Sequence, residues 1–443
     1  MPAQQTILDK RILTNISLCK KSNGTKINLQ RAAQNIVELQ RGLTGKRSLV
    51  GNAYMQQAAS LQAYLLYYWP VSYAQTVAAL QREPRFFDAV KKIAASGEGR
   101  PIRILDLGSG PAPASCALAD LAQGRGEQNL RFEFFLYDSS GDALSLGKRI
   151  LESAFPKTAR VETNVCNFEN VGKTKNAATE IAGKPKTVAA TQLVGKTKNV
   201  AAFLGDKKYD FIIASHSLNE LWKNEKKRGE KVADFLSAVC DQLEDGGLLL
   251  LTEPALLATS RALIETRDWL VQNRMRVVSP CLCSQAPCPA LENPNATCHC
   301  QFDWEMPQIV ADLARLAGLN RADVKMTYFV FEKSAGDSFG QDSNLLQDQE
   351  AAGPDFRLAN ASALVVSEPM LNKAGRIRYV LCDGKSRFTL SAKNGDPFAS
   401  AQNFFALKRY DKIAIQNAQV RSQKGEPLSL GIGEETRIFL QNT

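Results

Sequence analysis

The residues in this sequence best suited to chemistry are its cysteines, and they are unevenly spread. The 443-residue chain has ten, and five fall in one short segment from Cys281 to Cys300. Thiolates ligate zinc and iron–sulfur clusters, whereas disulfides rarely persist in a reducing compartment. The density therefore predicts a metal or cluster site, against the alternative of unligated thiols that only pack. The residues alone leave zinc and iron–sulfur open, since four thiolates suit both.

A glycine-rich turn in RILDLGSGPAPASCALA, residues 103–119, is a second chemical signature. The pattern predicts a short buried strand over 104–107 and the start of an alanine-rich helix at 114–119. Glycines between them allow a tight turn and close approach to a ligand, with the N–H groups of the helix start behind. The sequence therefore predicts the first βα unit of a nucleotide-binding α/β domain. The candidate cofactor residues of this unit are Asp106, Gly108, Ser109 and Gly110.

Polar residues follow three further predicted strands. RFEFFLYD, residues 131–138, ends in an acid, at the position where domains of this type bind the hydroxyl pair of a ribose. The alternative is a helix cap, because Ser139-Ser140-Gly141 follows. ARVETNVCNF supplies a third strand whose end lies beside a bound adenine in this topology, and YDFIIASHSLNELW supplies a fourth. The candidate cofactor residues at these ends are Asp138, Asn164, Asn167, Ser215 and Asn219.

His216 and Glu220 lie at the exit of the fourth strand, at the edge of the sheet where ligands bind. His216 is one of only two histidines. We interpret it as a base or as a polar residue that lines the site. Further on, an acidic residue, two glycines, an apolar strand and Glu-Pro are found in residues 245–254. This order is typical of the fifth strand of methyltransferases that use S-adenosylmethionine (SAM).

The remaining patterns predict how the chain is divided. Helical spacing covers the N-terminal part, where a tyrosine- and tryptophan-rich cluster at 64–73 either packs against the α/β domain or stacks on RNA bases. Three imperfect Lys/Thr/Ala-rich copies at 171–204 are too short and polar to bury a core, and predict a surface insertion or an RNA-touching arm. The predicted parts are a helical region 1–100, an α/β domain 101–335 with a cysteine-rich loop 279–305, a linker 336–354, and a small β domain 355–443, barrel-like in pattern.

The net charge of +10 is compatible with an RNA partner, and basic residues are dense in the predicted β domain. There they alternate with Tyr379 and Phe388, as on a sheet that faces RNA. No apolar run reaches the length of a membrane span, and the N-terminus lacks the apolar block of a secretory signal. We expect a soluble, cytoplasmic monomer. The basic residues in question are Lys373, Arg376, Arg378, Lys385, Arg387, Lys408, Arg409 and Lys412.

Four motifs taken together resemble one family. They are the loop LDLGSGPAPAS, the strand exit SHSLNEL, the segment SPCLCSQAPCP followed by CHCQF, and the later LCDG. This combination resembles the methyltransferase-like family of the mitochondrial small ribosomal subunit and its bacterial relatives. The resemblance implies a class I, Rossmann-like α/β methyltransferase sheet with an N-terminal helical region and a small C-terminal β domain. One departure is Ala112-Pro113 in place of a third glycine, where the proline removes a donor from the helix start.

The resemblance also implies cofactors, namely SAM and a [4Fe–4S] cluster held by four cysteines. The first ligand belongs to SPC, the second to PCP and the fourth to LCDG. Both cysteines of CHC stay open as the third ligand, because one fits the family's C-x-F pattern and the other precedes a histidine. Cys283 is surplus. The corresponding ligands are, in order, Cys281, Cys288, either Cys298 or Cys300, and Cys382.

Three classes of function remain open at this point. The first, which we favour, is an assembly or translation factor that binds the rRNA of the small ribosomal subunit or its precursor. The second is an active rRNA methyltransferase, and the third is a small-molecule methyltransferase. No cysteine is clearly placed as a catalytic nucleophile, so any methyl transfer would depend mainly on proximity and orientation. The sequence leaves open whether such transfer occurs and on which acceptor.

Overall fold

The structure is a computed structural model, and part of the chain is described by it. The predicted insertion 171–204, apart from Leu204, and the predicted linker 336–354 lie outside the described residues, as does Cys283. The described residues are 2–23, 27–44, 55, 57–95, 99–124, 130–170, 204, 207–282, 285–333, 361–421 and 429–441.

The larger of two sheets forms the centre of the molecule. Its order is β3-β2-β1-β4-β5-β8-β6, with β7 paired to β8 off this path. Pairs among the first five strands are parallel, whereas β8 is antiparallel to β5 and to β6. The predicted class I methyltransferase sheet is confirmed. The strands are β1 Ile102–Leu107, β2 Phe132–Asp138, β3 Ala159–Val165, β4 Tyr209–Ser215, β5 Leu243–Glu253, β6 Met275–Ser279, β7 Cys300–Asp303 and β8 Asp323–Lys333.

The edge of this sheet where the parallel strands end is the part that matters for function. The strands β1 and β4 are almost entirely buried, as expected for parallel strands with both faces covered. Because β8 is antiparallel, it begins at the edge where β5 ends, and Glu253 is paired with Thr327. Residues that follow β1 to β5 and residues that precede β8 therefore meet along one edge.

Helices surround this sheet, and the N-terminal region is helical as predicted. A π-helical turn, Tyr64–Tyr68, joins α3 to α4. The helices are α1 Pro2–Asn23, α2 Leu29–Thr44, α3 Ala58–Ala63, α4 Trp69–Leu80, α5 Pro84–Ala95, α6 Pro113–Gln123, α7 Gly141–Ala154, α8 Arg228–Asp241, α9 Leu257–Gln272, α10 Gln308–Ala317 and α11 Pro397–Ala401. None of the helices in the described ranges has the length and apolarity needed to cross a bilayer.

Part of the aromatic cluster of the N-terminal region packs against the α/β domain. Trp69 and Tyr73 are buried and join α4 to the α/β domain. The Trp69 indole donates to Pro111 O at 3.0 Å, and the Tyr73 hydroxyl donates to Asp120 at 2.8 Å. These contacts agree with the packing alternative for this part of the cluster.

A second sheet forms the C-terminal β domain, also as predicted. Its order is β14-β15-β12-β11-β9-β13-β16, with β10 paired to β11. The strands are β9 Ala361–Val365, β10 Met370–Leu371, β11 Arg376–Cys382, β12 Arg387–Lys393, β13 Lys412–Gln416, β14 Gln419–Val420, β15 Ser429–Gly431 and β16 Arg437–Leu440.

The two rings that alternate with the basic residues lie inside this β domain. Tyr379 and Phe388 are 0% and 2% exposed and belong to a core shared with Leu390 and Phe404. Successive residues of a strand point to opposite faces, so the basic residues of β11 and β12 face outward while these rings face inward. The alternation therefore separates a basic outer face from an aromatic core, and RNA contact at the outer face stays a prediction.

The β domain is packed against the cysteine-rich segment of the α/β domain. Val366 and Tyr410 are buried in the core of the α/β domain. The Arg387 guanidinium donates to Thr297 O at 3.0 Å, and Arg409 donates to His299 O at 3.4 Å. Two residues that the charge pattern assigned to RNA therefore hold the two domains together.

Candidate functional site

A cavity of about 670 Å³ runs along the carboxyl edge of the larger sheet. This volume is within the range of about 300–1,000 Å³ that is usual for ligand pockets. Of the predicted cofactor residues, six line the cavity and three do not. The six are Gly108, Gly110, Asp138, Asn167, Ser215 and Asn219, and the three are Asp106, Ser109 and Asn164.

The glycine turn is held tightly between neighbouring strand ends. The amides of Gly108 and Ser109 both donate to Tyr137 O, at 2.7 and 3.0 Å. Gly108 has a φ of +73°, and a Cβ built on it would lie 2.4 Å from Ser217 Cβ. Ser109 is buried by these contacts, which explains why it does not reach the cavity. The turn therefore requires glycine at position 108 for both backbone and steric reasons.

The departure from the usual glycine pattern has a local solution. Ala112 adopts φ +56° at the N-cap position of α6, and Pro113 occupies the first helical position. A proline is well tolerated there, because the N–H at that position has no partner within the helix. Neither residue lines the cavity, so the substituted loop leaves the cavity wall at Gly108 and Gly110 open.

Asp138 organises the glycine turn and also faces the cavity. Its carboxylate accepts from Gly110 N at 2.9 Å and from Ser140 N at 2.8 Å, while Ser140 itself caps α7. Burial raises the pKa of Asp138, against these hydrogen bonds, which lower it. Each carboxylate oxygen can accept a second hydrogen bond, so holding the turn leaves capacity for a ligand.

Asp106 lies beneath the turn with half of its carboxylate unpaired. Ser115 Oγ donates to Oδ2 at 2.6 Å, whereas the buried Oδ1 has no hydrogen-bond partner among the described residues. Burial raises the pKa of Asp106 to about 7, and the charge of Asp138 adds to the shift. This end of the cavity thus holds two acidic groups, and a cationic ligand would favour their ionised forms.

We expect the stability of the protein to depend on pH through Asp106. The folded carboxyl binds its proton up to about pH 7, whereas an unfolded aspartate releases it near pH 3.9. The free energy of unfolding should therefore fall as pH rises between these values, by at most about 1.4 kcal/mol per pH unit. Asp106→Asn should lack this slope in urea unfolding at pH 5 and 7.5, and exposed Asp142→Asn should keep it. Parallel profiles for Asp106→Asn and wild type would contradict the assignment.

Asn219 is fixed by a carboxylate that the sequence analysis did not select. Its backbone amide and its side-chain Nδ2 donate to Glu253 at 2.9 and 2.5 Å, and Nδ2 also donates to His216 O at 3.1 Å. Oδ1 is then the remaining polar atom of the amide. Burial raises the pKa of Glu253 to about 7, against the bonds from Asn219. The Glu-Pro that ends β5 was the signal for this residue.

Four of the candidate cysteines converge near the β domain. We call Cys281, Cys288, Cys298 and Cys382 the thiol quartet. Burial raises the pKa of Cys281, Cys288 and Cys382, that of Cys382 to about 12, and the neighbouring thiols add to each shift. In each of the six pairs of thiols in the quartet, the charge of one thiolate raises the pKa of the other thiol.

Cys300, the other candidate for the third ligand, points elsewhere. It lies in β7, where its Sγ donates to Met326 O of β8 at 3.1 Å. Cys298 instead contacts the hydroxyl of Tyr410 at 3.3 Å and interacts with all other members of the quartet. The geometry therefore separates two cysteines that the sequence motif left equivalent.

The thiol quartet is not arranged around a single ion. Within the described ranges, no group of three or more His, Cys, Asp or Glu side chains is placed to hold one metal ion. A zinc site would need four sulfurs about 2.3 Å from one point. A buried cation lies beside the quartet, since Arg267 is 2% exposed and interacts with Cys281 and Cys288. Its charge would offset the negative charge of ligated thiolates.

Residues far from any motif complete the opposite wall of the cavity. Tyr64, Tyr68 and Gln75 come from the N-terminal helices, and Arg321 and Lys325 precede or begin β8. The sequence marks the tyrosines only as part of the aromatic cluster, and nothing in the local sequence indicates the other three. They reach the cavity because the helical layer and the antiparallel strand meet at the same edge of the sheet.

Comparison with solved structures gives matches of low sequence identity. A magnesium protoporphyrin IX methyltransferase from Synechocystis PCC 6803 with bound SAM shares 12% identity over 70% of this chain and 99% of its own, with a TM-score of 0.31. An rRNA methylase from Streptococcus thermophilus shares 10% identity over 56% of this chain and 95% of its own, with a TM-score of 0.29. These similarities are too weak to indicate a substrate.

A comparison with curated proteins gives no match. A protein-family model described as "Mitochondrial small ribosomal subunit Rsm22" matches residues 58–403, which is more than three quarters of the chain. The match spans the glycine turn, the cavity, the cysteine-rich segment and most of the β domain up to α11. The chain therefore belongs to the Rsm22 family.

Proposed function

We propose that this protein is an assembly or translation factor of the small ribosomal subunit, with a SAM site at the glycine turn and a [4Fe–4S] cluster on the thiol quartet. Family membership supports the ribosomal partner, and the net charge of +10 supports binding through rRNA phosphates. The observation that carries the proposal is the convergence of four thiols from both domains, of which Cys288 and Cys298 are buried. A cytoplasmic location and a monomeric state stay predictions.

The residues around the glycine turn fit SAM, which carries an ammonium and a sulfonium charge. The carboxylate of Asp138 lines this end of the cavity, and Asp106, whose Oδ1 has no hydrogen-bond partner among the described residues, lies beneath the turn. Asp138 would accept from the ribose hydroxyls, and Asn167 would lie beside the adenine. Bound here, SAM would supply an activated methyl group. Asn164 lies outside the lining and is not part of this proposal.

We expect Gly108→Ala to lower the affinity for SAM by about tenfold or more. An added Cβ would collide with Ser217. The alanine would also have to adopt a positive φ, which costs about 1–3 kcal/mol where it is tolerated. Calorimetric titration of SAM into wild type and variant measures the loss. Gly229→Ala is the matched control, because a Cβ at that helical position meets no atom within 4 Å. Equal affinities in wild type and Gly108→Ala would refute the SAM site at this turn.

We assign the thiol quartet to a cluster, as the family resemblance implies. In a [4Fe–4S] cluster each thiolate binds a different iron, so the four sulfurs stand farther apart than around one zinc ion. Backbone N–H groups of Ala290 and Gly384 lower the pKa values of Cys288 and Cys382, against burial, and so favour their thiolates. We assign Cys298 as the third ligand, and Cys300 is not included.

Binding of the small subunit is tested by co-sedimentation of purified protein with isolated subunits or their precursors. The association should weaken steeply with salt, because each neutralised phosphate releases counterions. Wild-type protein that never co-sediments would refute the ribosomal function. A small-molecule methyltransferase would then become the better hypothesis.

Methylation of rRNA is a second candidate function, and one observation favours it. The cavity continues past the glycine turn to His216 and Arg321, which leaves space beyond a SAM-sized ligand. Transfer of labelled methyl groups from SAM to small subunits is the measurement. Label in rRNA would assign catalysis, and its absence with bound SAM would leave the assembly role alone.

A further inference from the structure

The cavity has a second end that the SAM site does not use. We call this end the distal half, lined by Tyr64, Tyr68, Gln75, His216, Arg321 and Lys325. Four strand spacings separate β2, which carries Asp138, from β8, which begins beside Arg321. At about 4.8 Å per strand, this is about 19 Å. A ligand at the glycine turn therefore leaves the distal half open to a second molecule.

The hydrogen bonds of Gln75 determine which nitrogen of His216 carries the proton. Gln75 Nε2 donates to Lys325 O at 3.0 Å, so its Oε1 is the atom that lies 2.7 Å from His216 Nε2. An amide oxygen only accepts, and Nε2 must therefore be the donor. Burial lowers the pKa of His216 to about 4, with a further contribution from Arg321, so the ring is neutral near pH 7.

His216 Nδ1 is then a fixed hydrogen-bond acceptor. It has no hydrogen-bond partner among the described residues, and the ring lines the cavity. The residue is held at φ +57°, with its amide donating to Thr252 O at 2.8 Å. Strained backbone of this kind persists where the surroundings determine it, often at functional sites. A ligand group that faces Nδ1 must carry an N–H or O–H donor.

Arg321 supplies a positioned positive charge in the same half. Its Nε donates to Tyr67 Oη at 3.1 Å, and its guanidinium carbon lies 5.3 Å from the Tyr67 ring centroid and 5.8 Å from that of Tyr68. The two terminal nitrogens have no partner among the described residues. A guanidinium fixed in this way presents a fork that suits phosphate or carboxylate. Lys325 adds a second positive charge.

An aromatic wall completes the distal half. The rings of Tyr64 and Tyr68 are stacked, with centroids 5.7 Å apart and planes at 27°. Both line the cavity, in contrast to the buried Tyr67. A planar ring is the group that packs best against such a wall. The distal half therefore joins three features, namely an aromatic wall, a neutral acceptor and two cations.

We propose that the distal half binds one nucleotide of single-stranded RNA. Its base lies beside Tyr64 and Tyr68, a base N–H donates to His216 Nδ1, and a phosphate oxygen is bound by Arg321. The planar ring, the N–H donor and the attached anion of a nucleotide match the three features. This inference rests on the proposed function, because it takes the glycine turn as the SAM end of the cavity.

The test is calorimetric titration of nucleoside 5′-monophosphates into full-length protein saturated with S-adenosylhomocysteine, which cannot donate a methyl group. Arg321→Gln should weaken the tightest nucleotide by about tenfold, as for loss of a charged hydrogen bond, and leave the matching nucleoside unchanged. The analogue methylated at the base N–H should also bind about tenfold more weakly. Arg315→Gln is the control, since that side chain is 72% exposed.

A second measurement observes the protonation of His216 directly. In histidine-labelled protein, the nitrogen spectrum should report an unprotonated Nδ1 for His216, and nucleotide should shift that signal. The other histidine, His299, is told apart with His216→Asn. Arg321→Gln and His216→Asn should both keep the wild-type affinity for S-adenosylhomocysteine. This measurement also checks that the two variants fold.

Several outcomes would overturn the inference. Nucleotides that bind no better than ribose 5-phosphate would reduce the distal half to an anion site, and unchanged affinity in Arg321→Gln would remove the phosphate role. A protonated Nδ1 would refute the base contact. Failure of wild type to bind S-adenosylhomocysteine would refute the SAM site instead. The nucleotide titrations would then be carried out on protein without S-adenosylhomocysteine.

Discussion

Cys382→Ser is expected to lose its iron as completely as Cys288→Ser, although the two cysteines belong to different domains. Cys382 ends β11 of the β domain, while Cys288 lies in the cysteine-rich segment, yet both raise the pKa of Cys281, and Cys288 also raises that of Cys382. A [4Fe–4S] cluster needs all four thiolates. Wild-type protein purified without oxygen should be brown and carry about four irons per chain.

The two cysteines of CHC supply the control for this experiment. Cys300→Ser should retain iron, because Cys300 donates to Met326 O, whereas Cys298→Ser should lose it. The measurements are the visible spectrum and metal analysis for iron and zinc. Colourless wild-type protein with stoichiometric zinc would refute the cluster. The reverse result for the two variants would make Cys300 the ligand.

Loss of the cluster should also destabilise the contact between the domains. Metal-binding free energy at a structural site is folding free energy, on the order of 10 kcal/mol for zinc sites. Thr297, which accepts from Arg387, and His299, which accepts from Arg409, both flank Cys298. We therefore expect the cluster-free variants to unfold at lower temperature in calorimetry, and Cys300→Ser to unfold close to wild type.

The sequence motif could name candidate ligand segments but could not choose between the cysteines of CHC. Residues two apart in a strand share a face, so periodicity gives no preference between Cys298 and Cys300. The difference arises because β7 begins at Cys300 and pairs it with Met326, which is 26 residues further along the chain. A pairing between segments so far apart, in a strand that was not predicted, leaves no local signal.

The lining residues of the cavity also differ in whether the local sequence could predict them. Strand ends and glycines predict six of its lining residues, because each is marked by its own strand and turn. Position in the chain also suggests Asn164, yet this residue lies within β3, and the chain first reaches the cavity at Cys166. Gln75 and Arg321 come from elements whose approach depends on the packed fold.

Charge reversal on the outer surface of the β domain is expected to weaken small-subunit binding by at least about a hundredfold at moderate salt. The sequence suggested Arg376 and Arg387 as positions for charge reversal, but both side chains make hydrogen bonds within the protein. Arg376 Nη2 donates to Ser391 O at 2.9 Å, and Arg387 donates to Thr297 O at 3.0 Å. Their loss would damage the domain and would not report on RNA.

The informative variant therefore changes Lys373, Arg378 and Lys385 to glutamate, since all three side chains are exposed. For each phosphate that the variant no longer neutralises, the slope of log affinity against log salt should become shallower by about 1. The matched control changes Lys91, Lys92 and Lys157, which are exposed on the α/β side and carry the same charge. Co-sedimentation across a salt series measures both, with iron content as the check on folding.

The outcome separates a specific surface from overall charge. If both triple variants weaken equally, binding depends on net charge and no face of the β domain is distinguished. If the β-domain variant alone loses association and keeps its iron, RNA contacts the outer face of β11 and its turns. Because Cys382 ends the same strand, cluster loss in Cys382→Ser should then weaken small-subunit binding as well, while Cys300→Ser keeps it.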